Sequence, residues 1–219
     1  KETFYVTCTA PARKPDLYLV GLGSGVFRNA AALNLKYPTK DVADLARFFE
    51  QDNGVYGRVI LDTLLDASLT PERLNAIKSK LSKTAVDDCV ILFAAGHGLI
   101  DESLDYYLAT YETDFNQPRH KAIPYETLEA LLDGIPARQK LLLLDACHAG
   151  EIDKEEVTLV KTQNTSDGAV KFRAFGNHPM PRRLGLENAF ELMKTMFIDL
   201  RRGAGATVIA SAGGAEYAM

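Results

Sequence analysis

The segment LLLLDACHAG (141–150) runs as an apolar strand into a carboxylate, a thiol and an imidazole: Asp145, Cys147 and His148. A second apolar run, VILFAAGHGL (90–99), ends with His97 between two glycines. Cysteine attacks as its thiolate, so a cysteine that does chemistry needs a nearby imidazole to take its proton and later return it. Taken singly, each group has an ordinary reading, a buried thiol at a strand end and a loop histidine. Taken together, a thiol and an imidazole at the ends of two strands make a nucleophile and a proton shuttle. His148 adjoins the thiol, but neighbouring residues on an extended chain point apart, so the shuttle is assigned to His97. Gly98 leaves its backbone N–H unobstructed, and that N–H with the one of Cys147 supplies two donors for a developing oxyanion. Asp145 stands two residues before Cys147, on the same side of an extended strand. A carboxylate there attracts a guanidinium or ammonium, and bidentate pairing favours arginine; the plainer alternative is an acid capping a loop N–H.

These residues need a frame that brings two strand ends together. DLYLVGLG (16–23) is a continuous apolar run, as in a strand buried on both faces. YPTKDVADLARFFEQ (37–51) carries Val42, Leu45, Ala46 and Phe49 on one helical stripe, begun by Thr39 or the proline before it. RVILDTLL (58–65) reads as a strand, and TPERLNAIKSKLSK (70–83) as a helix capped by Thr70 with Pro71 in first position. DDCVILFAAG (87–96) is a strand, DYYLAT (105–110) a short one, PYETLEALLDGI (124–135) a helix stopped by Gly134 and Pro136, and KLLLLDA (140–146) a strand. A polar, basic stretch follows over 151–186, then a helix over 187–202 and a last strand, ATVIAS. Strands alternating with helices predict a mostly parallel sheet in a three-layer α/β/α sandwich. Open sheets of this kind bind ligands beyond the carboxyl ends of their strands, where both His97 and Cys147 fall.

Composition narrows the function classes. At 219 residues the chain has ample length for one core, read as a leading segment (1–16) and a domain (17–219). A net charge of −4 without a basic stripe argues against nucleic-acid or anionic-membrane partners. No apolar run approaches the ~20 residues of a membrane span, and the N-terminus lacks a hydrophobic signal region. Three cysteines, at 8, 89 and 147, are no disulfide framework, so a reducing cytoplasm is expected. Cys89, within DDCVILF, reads as a small core hydrophobe. The turn GLGSG (21–25) has Val26 where a dinucleotide fingerprint needs its third glycine, and nucleotide binding is rejected.

The pair His97-Gly98 and Asp145-Ala146-Cys147-His148-Ala149-Gly150, each after an apolar strand, resembles the caspase-like cysteine peptidases, nearest to the metacaspase and prokaryotic caspase-like branch. The histidine lies fifty residues before the cysteine, close to the ~50-residue offset of caspases. The resemblance runs from about Leu17 to the end of the chain. It implies a caspase-like fold, Cys147 as nucleophile, His97 as proton shuttle, and protein or peptide substrates. It further implies that Asp145 and a second acid early in the first crossover helix, here Asp41, select a basic residue before the cleaved bond. For Asp41 the alternative is a helix-start carboxylate favoured by the macrodipole. Caspases that cut after aspartate carry basic residues in this pocket instead. Many metacaspases hold calcium through an Asp pair ahead of the helix before the nucleophile strand, and KAIPYETLEALL lacks it. Asp101, Asp105, Asp114 and Asp153 remain as scattered acids. No cofactor is therefore expected, calcium being the one metal left open; zinc has no fitting ligand spacing.

The family normally continues into a further loop, strand and helix after the ATVIAS strand, so a C-terminal portion or a fused regulatory domain is an expected partner. Self-cleavage within 151–186, at Lys161, Lys171, Arg173 or Arg183, is a further expectation. Two other classes compete. A silent caspase-like scaffold would have no need of both His97 and Cys147. An α/β-hydrolase with a cysteine nucleophile would place its histidine after the nucleophile and carry a G-x-C-x-G elbow, which is absent.

Overall fold

The computed structural model describes residues 13–51, 54–101, 103, 105–146 and 204–210. Cys147, His148, Cys8, the basic loop 151–186 and the helix read over 187–202 lie outside the described residues. Strands β1 (Leu17–Gly23), β2 (Val59–Leu65), β3 (Cys89–Ala95), β7 (Gln139–Asp145) and β8 (Thr207–Ala210) form one sheet in the order β2-β1-β3-β7-β8. Every neighbouring pair in it is parallel. Three short strands, β4 (Gly98–Ile100), β5 (Tyr106–Leu108) and β6 (Ile123–Pro124), make a separate antiparallel sheet.

Side-chain alternation divides the core between the two faces of the large sheet. Val20, Leu22, Leu92, Leu142 and Leu144 pack on one face against α2 (Pro71–Leu81) and α3 (Tyr125–Leu132), through Leu74, Ile77, Leu81, Leu128, Leu131 and Leu132. Leu17, Leu19, Ile91, Leu141 and Leu143 face the other way, toward Leu45, Ala46 and Phe49 of α1 (Pro38–Glu50). The result is the expected α/β/α sandwich. Each fully buried leucine contributes about 1.5–3 kcal/mol of transfer free energy, which is why these strands read as unbroken apolar runs. Cys89 is half-buried and packs against the α1-side cluster, where burial raises its thiol pKa against a smaller lowering by a Tyr56 hydrogen bond.

Helix starts follow local chemistry. Thr70 accepts from the Arg73 N–H at 3.4 Å and Pro71 takes the first helical position. In α1, Pro38 begins the helix and no side chain caps it, so Thr39 does not serve. The glycines of GLGSG serve packing: a Cβ at Gly21 would run into Val42 of α1.

At the amino ends of the strands, Asp16 is 3% exposed and takes hydrogen bonds from Arg58 Nη2 (2.6 Å) and Arg13 Nη2 (2.8 Å). The buried Asp88 accepts from the Asp16 N–H (3.0 Å), the Ala85 N–H (2.7 Å) and Arg13 (3.1 Å), tying residues 13–16 to the turn before β3. The Arg58 hydrogen bond, outweighing burial, holds the Asp16 carboxyl below its ordinary value. A depressed carboxyl stabilises the fold at pH above its unfolded value of about 4 and loses that contribution as pH falls through the lower folded value. Asp16→Asn is therefore expected to lower urea stability by about 1–3 kcal/mol at pH 7. The gap should hold down to about pH 5 and shrink below about pH 4; equal stability of the two proteins at pH 7 would contradict this role.

Candidate active site

Register brings three strand ends level. Gly23 pairs with Ala95, and Ala95 with Asp145. The next residues continue the alignment, Ser24 N–H donating to the Ala95 carbonyl and Gly96 N–H to the Asp145 carbonyl, both at 3.1 Å. The alignment thus sets Gly96 level with Ala146, and His97 follows Gly96 at the edge where β7 ends two residues before Cys147. Gly96 has φ +150, and a Cβ there would lie 3.0 Å from the Ser24 carbonyl oxygen, so the first glycine of Gly-His-Gly meets a backbone demand.

His97 Nε2 donates to the Leu33 carbonyl at 2.8 Å. A carbonyl oxygen only accepts, so Nε2 carries the hydrogen and Nδ1 is the basic nitrogen of the neutral ring. The ring is also flanked by Phe27 (centroids 5.3 Å apart) and by the edge-on Phe115 (5.9 Å). Leu33 lies in the loop between β1 and α1, and nothing in its side chain marks the carbonyl as an orienting group. Sequence reasoning had no means of finding it; the two phenylalanines carried no spacing signal either.

Gly98 opens β4 opposite Leu108. The Ala109 N–H donates to the His97 carbonyl at 2.9 Å, which makes Gly98–Leu108 a non-hydrogen-bonded pair of the antiparallel ladder. The ladder therefore does not use the Gly98 N–H, as an oxyanion donor requires. Behind Gly98 stands Tyr106, 1% exposed, whose hydroxyl is 3.4 Å from the Ala146 carbonyl and whose ring packs edge-on against Tyr125. One phenol thus touches the backbones that follow β3 and β7.

The two acids share a face and an edge. Leu141 and Leu143 face α1, so Asp145, two residues on, falls on the same side. Asp41 is in the first turn of α1, which crosses the carboxyl end of β1 closely enough that a Cβ at Gly23 would lie 3.0 Å from the Pro38 carbonyl. Both carboxylates are partly buried, and among the described residues neither has a hydrogen bond or an ion pair.

Other acids are committed elsewhere. Burial raises the Asp101 pKa, but hydrogen bonds from Arg119, the Asp105 and Ser103 N–H groups and Tyr107 lower it further, holding it below the ordinary carboxylate value. Asp105 also receives Arg119, and Asp114 closes a turn on the Asn116 N–H. Among the described residues no three His, Cys, Asp or Glu side chains converge as a metal would need, and no helix is long and apolar enough to cross a membrane. A cleft of about 610 Å³ opens at the opposite sheet edge, lined by Arg13, Arg58, Asp16 and Asp88. Its carboxylates are already paired with its arginines, so it belongs to the structural tie of the strand starts.

A Cβ at Gly98 would collide with the Tyr106 phenol. Overpacking a buried contact costs about 1–3 kcal/mol, so Gly98→Ala should lower urea stability by that amount. A substitution that leaves the unfolding midpoint unchanged would show that the phenol has room to withdraw.

Comparison with known proteins identifies the family. The family model described as "Caspase domain", for peptidases of the C14 class, matches residues 22–209. No curated protein sequence matches the chain. The crystal structure of protein GSU0716 from Geobacter sulfurreducens is similar at 20% identity with a TM-score of 0.49, over 66% of this chain. This chain spans 55% of that protein, about half its length. Since the family model takes in β3, the Gly-His-Gly turn, β7 and the segment through Cys147 to β8, the chain belongs to the caspase-domain family of cysteine peptidases.

Proposed function

We propose that the protein is a cysteine endopeptidase that cleaves after arginine, and less readily after lysine, through Cys147 and His97. The observation that carries this reading is the Nε2–Leu33 hydrogen bond, which leaves Nδ1 as the base of a ring at the sheet edge where β7 ends two residues before Cys147. In the proposed reaction His97 Nδ1 takes the Cys147 thiol proton, and the thiolate adds to the scissile carbonyl. The oxyanion so formed accepts from the N–H groups of Gly98 and Cys147. The imidazolium returns its proton to the leaving amine as the C–N bond breaks, leaving a thioester on Cys147. Water, deprotonated by His97, then adds to the thioester; its collapse releases the carboxylic acid and restores the thiol. The Leu33 carbonyl takes the place of a third acid, holding the ring without adding a charge.

Specificity rests on Asp41 and Asp145, two carboxylates on one face of the carboxyl edge without a cation of their own among the described residues. An arginine satisfies them with a bidentate, charge-assisted pairing that lysine does not match. The acids also align the chain with the metacaspase branch of the family. The same preference would direct self-cleavage to Lys161, Lys171, Arg173 or Arg183 in the segment 151–186.

The test is hydrolysis of fluorogenic peptides ending in Arg, Lys, Asp or Leu, with calcium added or chelated. The expected result is cleavage after Arg above Lys, reduced to background in Cys147→Ala and His97→Ala. Asp41→Ala and Asp145→Ala should each lower kcat/KM on Arg peptides by roughly 10–100-fold, the loss of one charged hydrogen bond. Cleavage after Asp would overturn the acidic pocket. Silence from folded protein under both calcium conditions would favour a binding scaffold.

A further inference from the structure

His97 is held by atoms of a different loop, which raises the question of what holds that loop. Residues 24–37 contain only a single 3-10 turn, Ala31–Leu33, yet they deliver the Leu33 carbonyl to 2.8 Å and Phe27 to ring contact. The anchor comes from the turn after β2. Asp66 Oδ1 accepts from the Gly25 N–H at 2.8 Å and from the Val26 N–H at 2.9 Å. The loop then closes on itself: the Leu35 N–H donates to the Gly25 carbonyl at 2.8 Å, and the Phe27 N–H to Asn34 Oδ1 at 2.9 Å. Gly25 is tightly enclosed, since a Cβ there would lie 2.8 Å from the Leu35 carbonyl oxygen.

Asp66 adopts φ +46, a left-handed backbone uncommon outside glycine and asparagine. Among the described residues its side chain has no ion pair, and both of its hydrogen bonds go to the loop that orients His97. We propose that Asp66 is a positioning residue for His97, acting through Gly25 and Val26 on Phe27 and Leu33, with Asn34 as the second tie on the same loop. Its task is to keep the hydrogen on Nε2 and the base at Nδ1 by fixing the acceptor that selects this tautomer. The inference rests on His97 being the proton shuttle.

Two substitutions at Asp66 separate the acceptor from the backbone. Asp66→Asn keeps an acceptor oxygen and tolerates positive φ; Asp66→Gly keeps the backbone and removes the acceptor. The primary readout is the ring nitrogen spectrum of His97 at neutral pH, assigned by its loss in His97→Gln, which reports the tautomer whether or not the protein cleaves anything. The expected result is an Nε2–H ring in the wild type and in Asp66→Asn, and a mixture of tautomers in Asp66→Gly. Where peptide cleavage is measurable, kcat should fall by on the order of 10–100-fold in Asp66→Gly, with KM little changed and Asp66→Asn close to wild type. Asn34→Ala, at an exposed position, gives a milder second variant and should move the ring signals the same way. A wild-type tautomer in folded Asp66→Gly, or in folded Asn34→Ala should Asp66→Gly not fold, would overturn the proposal. Equal perturbation by Asp66→Asn and Asp66→Gly would also overturn it. Loss of peptidase activity in every form, with the tautomer pattern as expected, would count against the peptidase reading and leave the brace standing.

Discussion

The site depends on strand ends that stop at one level. Parallel pairing sets Gly23, Ala95 and Asp145 side by side, and two more backbone hydrogen bonds carry the alignment to Ser24 and Gly96. A parallel strand must be followed by a crossover to return to the same sheet, so every loop leaving this edge is free to carry chemistry while the helices cover the faces. Buried leucines on both faces fix the register, because a slip of one residue would turn each strand's side chains to the wrong side. Asp145 would then face α2 and α3, away from Asp41. The core is thus the device that sorts the acids onto one side.

From that edge the site is assembled from backbone more than from side chains. A carbonyl orients the histidine, a ladder that skips one N–H leaves a donor at Gly98, and Gly96, with its unusual φ, lets the chain turn just before both. Backbone groups add no net charge and have no side-chain rotamers to freeze, so they hold the ring without placing another charge beside it. Tyr106 fills the space behind Gly98 and reaches toward Ala146, coupling the geometry of the two loops through one rigid ring.

The legible and illegible parts of the sequence divide along the same line. The strands from Leu17, Cys89 and Gln139 announce themselves because burial on both faces removes any need for polar alternation. The α2 start is legible because Thr70 and Pro71 each have a cap-specific chemistry. The small sheet is only half legible: Tyr106–Leu108 is apolar enough to read as a strand, whereas Gly98–Ile100 and Ile123–Pro124 are too short for a period of two to show. Within the site, His97, Gly98 and the acids stand out by residue type. The Leu33 carbonyl and the Asp66 brace do not, since hydrogen bonds to backbone place no demand on the sequence of the loop that receives them. The nearest visible hint was Gly25, whose small size suggested a turn and whose real constraint is the Leu35 carbonyl pressed against it.

The proposed chemistry stands on Cys147 as the nucleophile and His97 as the group that activates it. The most direct measurement is covalent labelling with a peptidyl-arginyl chloromethyl ketone followed by mass mapping of the three cysteine positions. Alkylation is expected at Cys147 with loss of chloride, fast in the wild type, slowed in His97→Ala, and weaker with an aspartyl reagent. Labelling at Cys89 or Cys8 instead, or a Cys147 adduct that forms equally fast without His97, would contradict it.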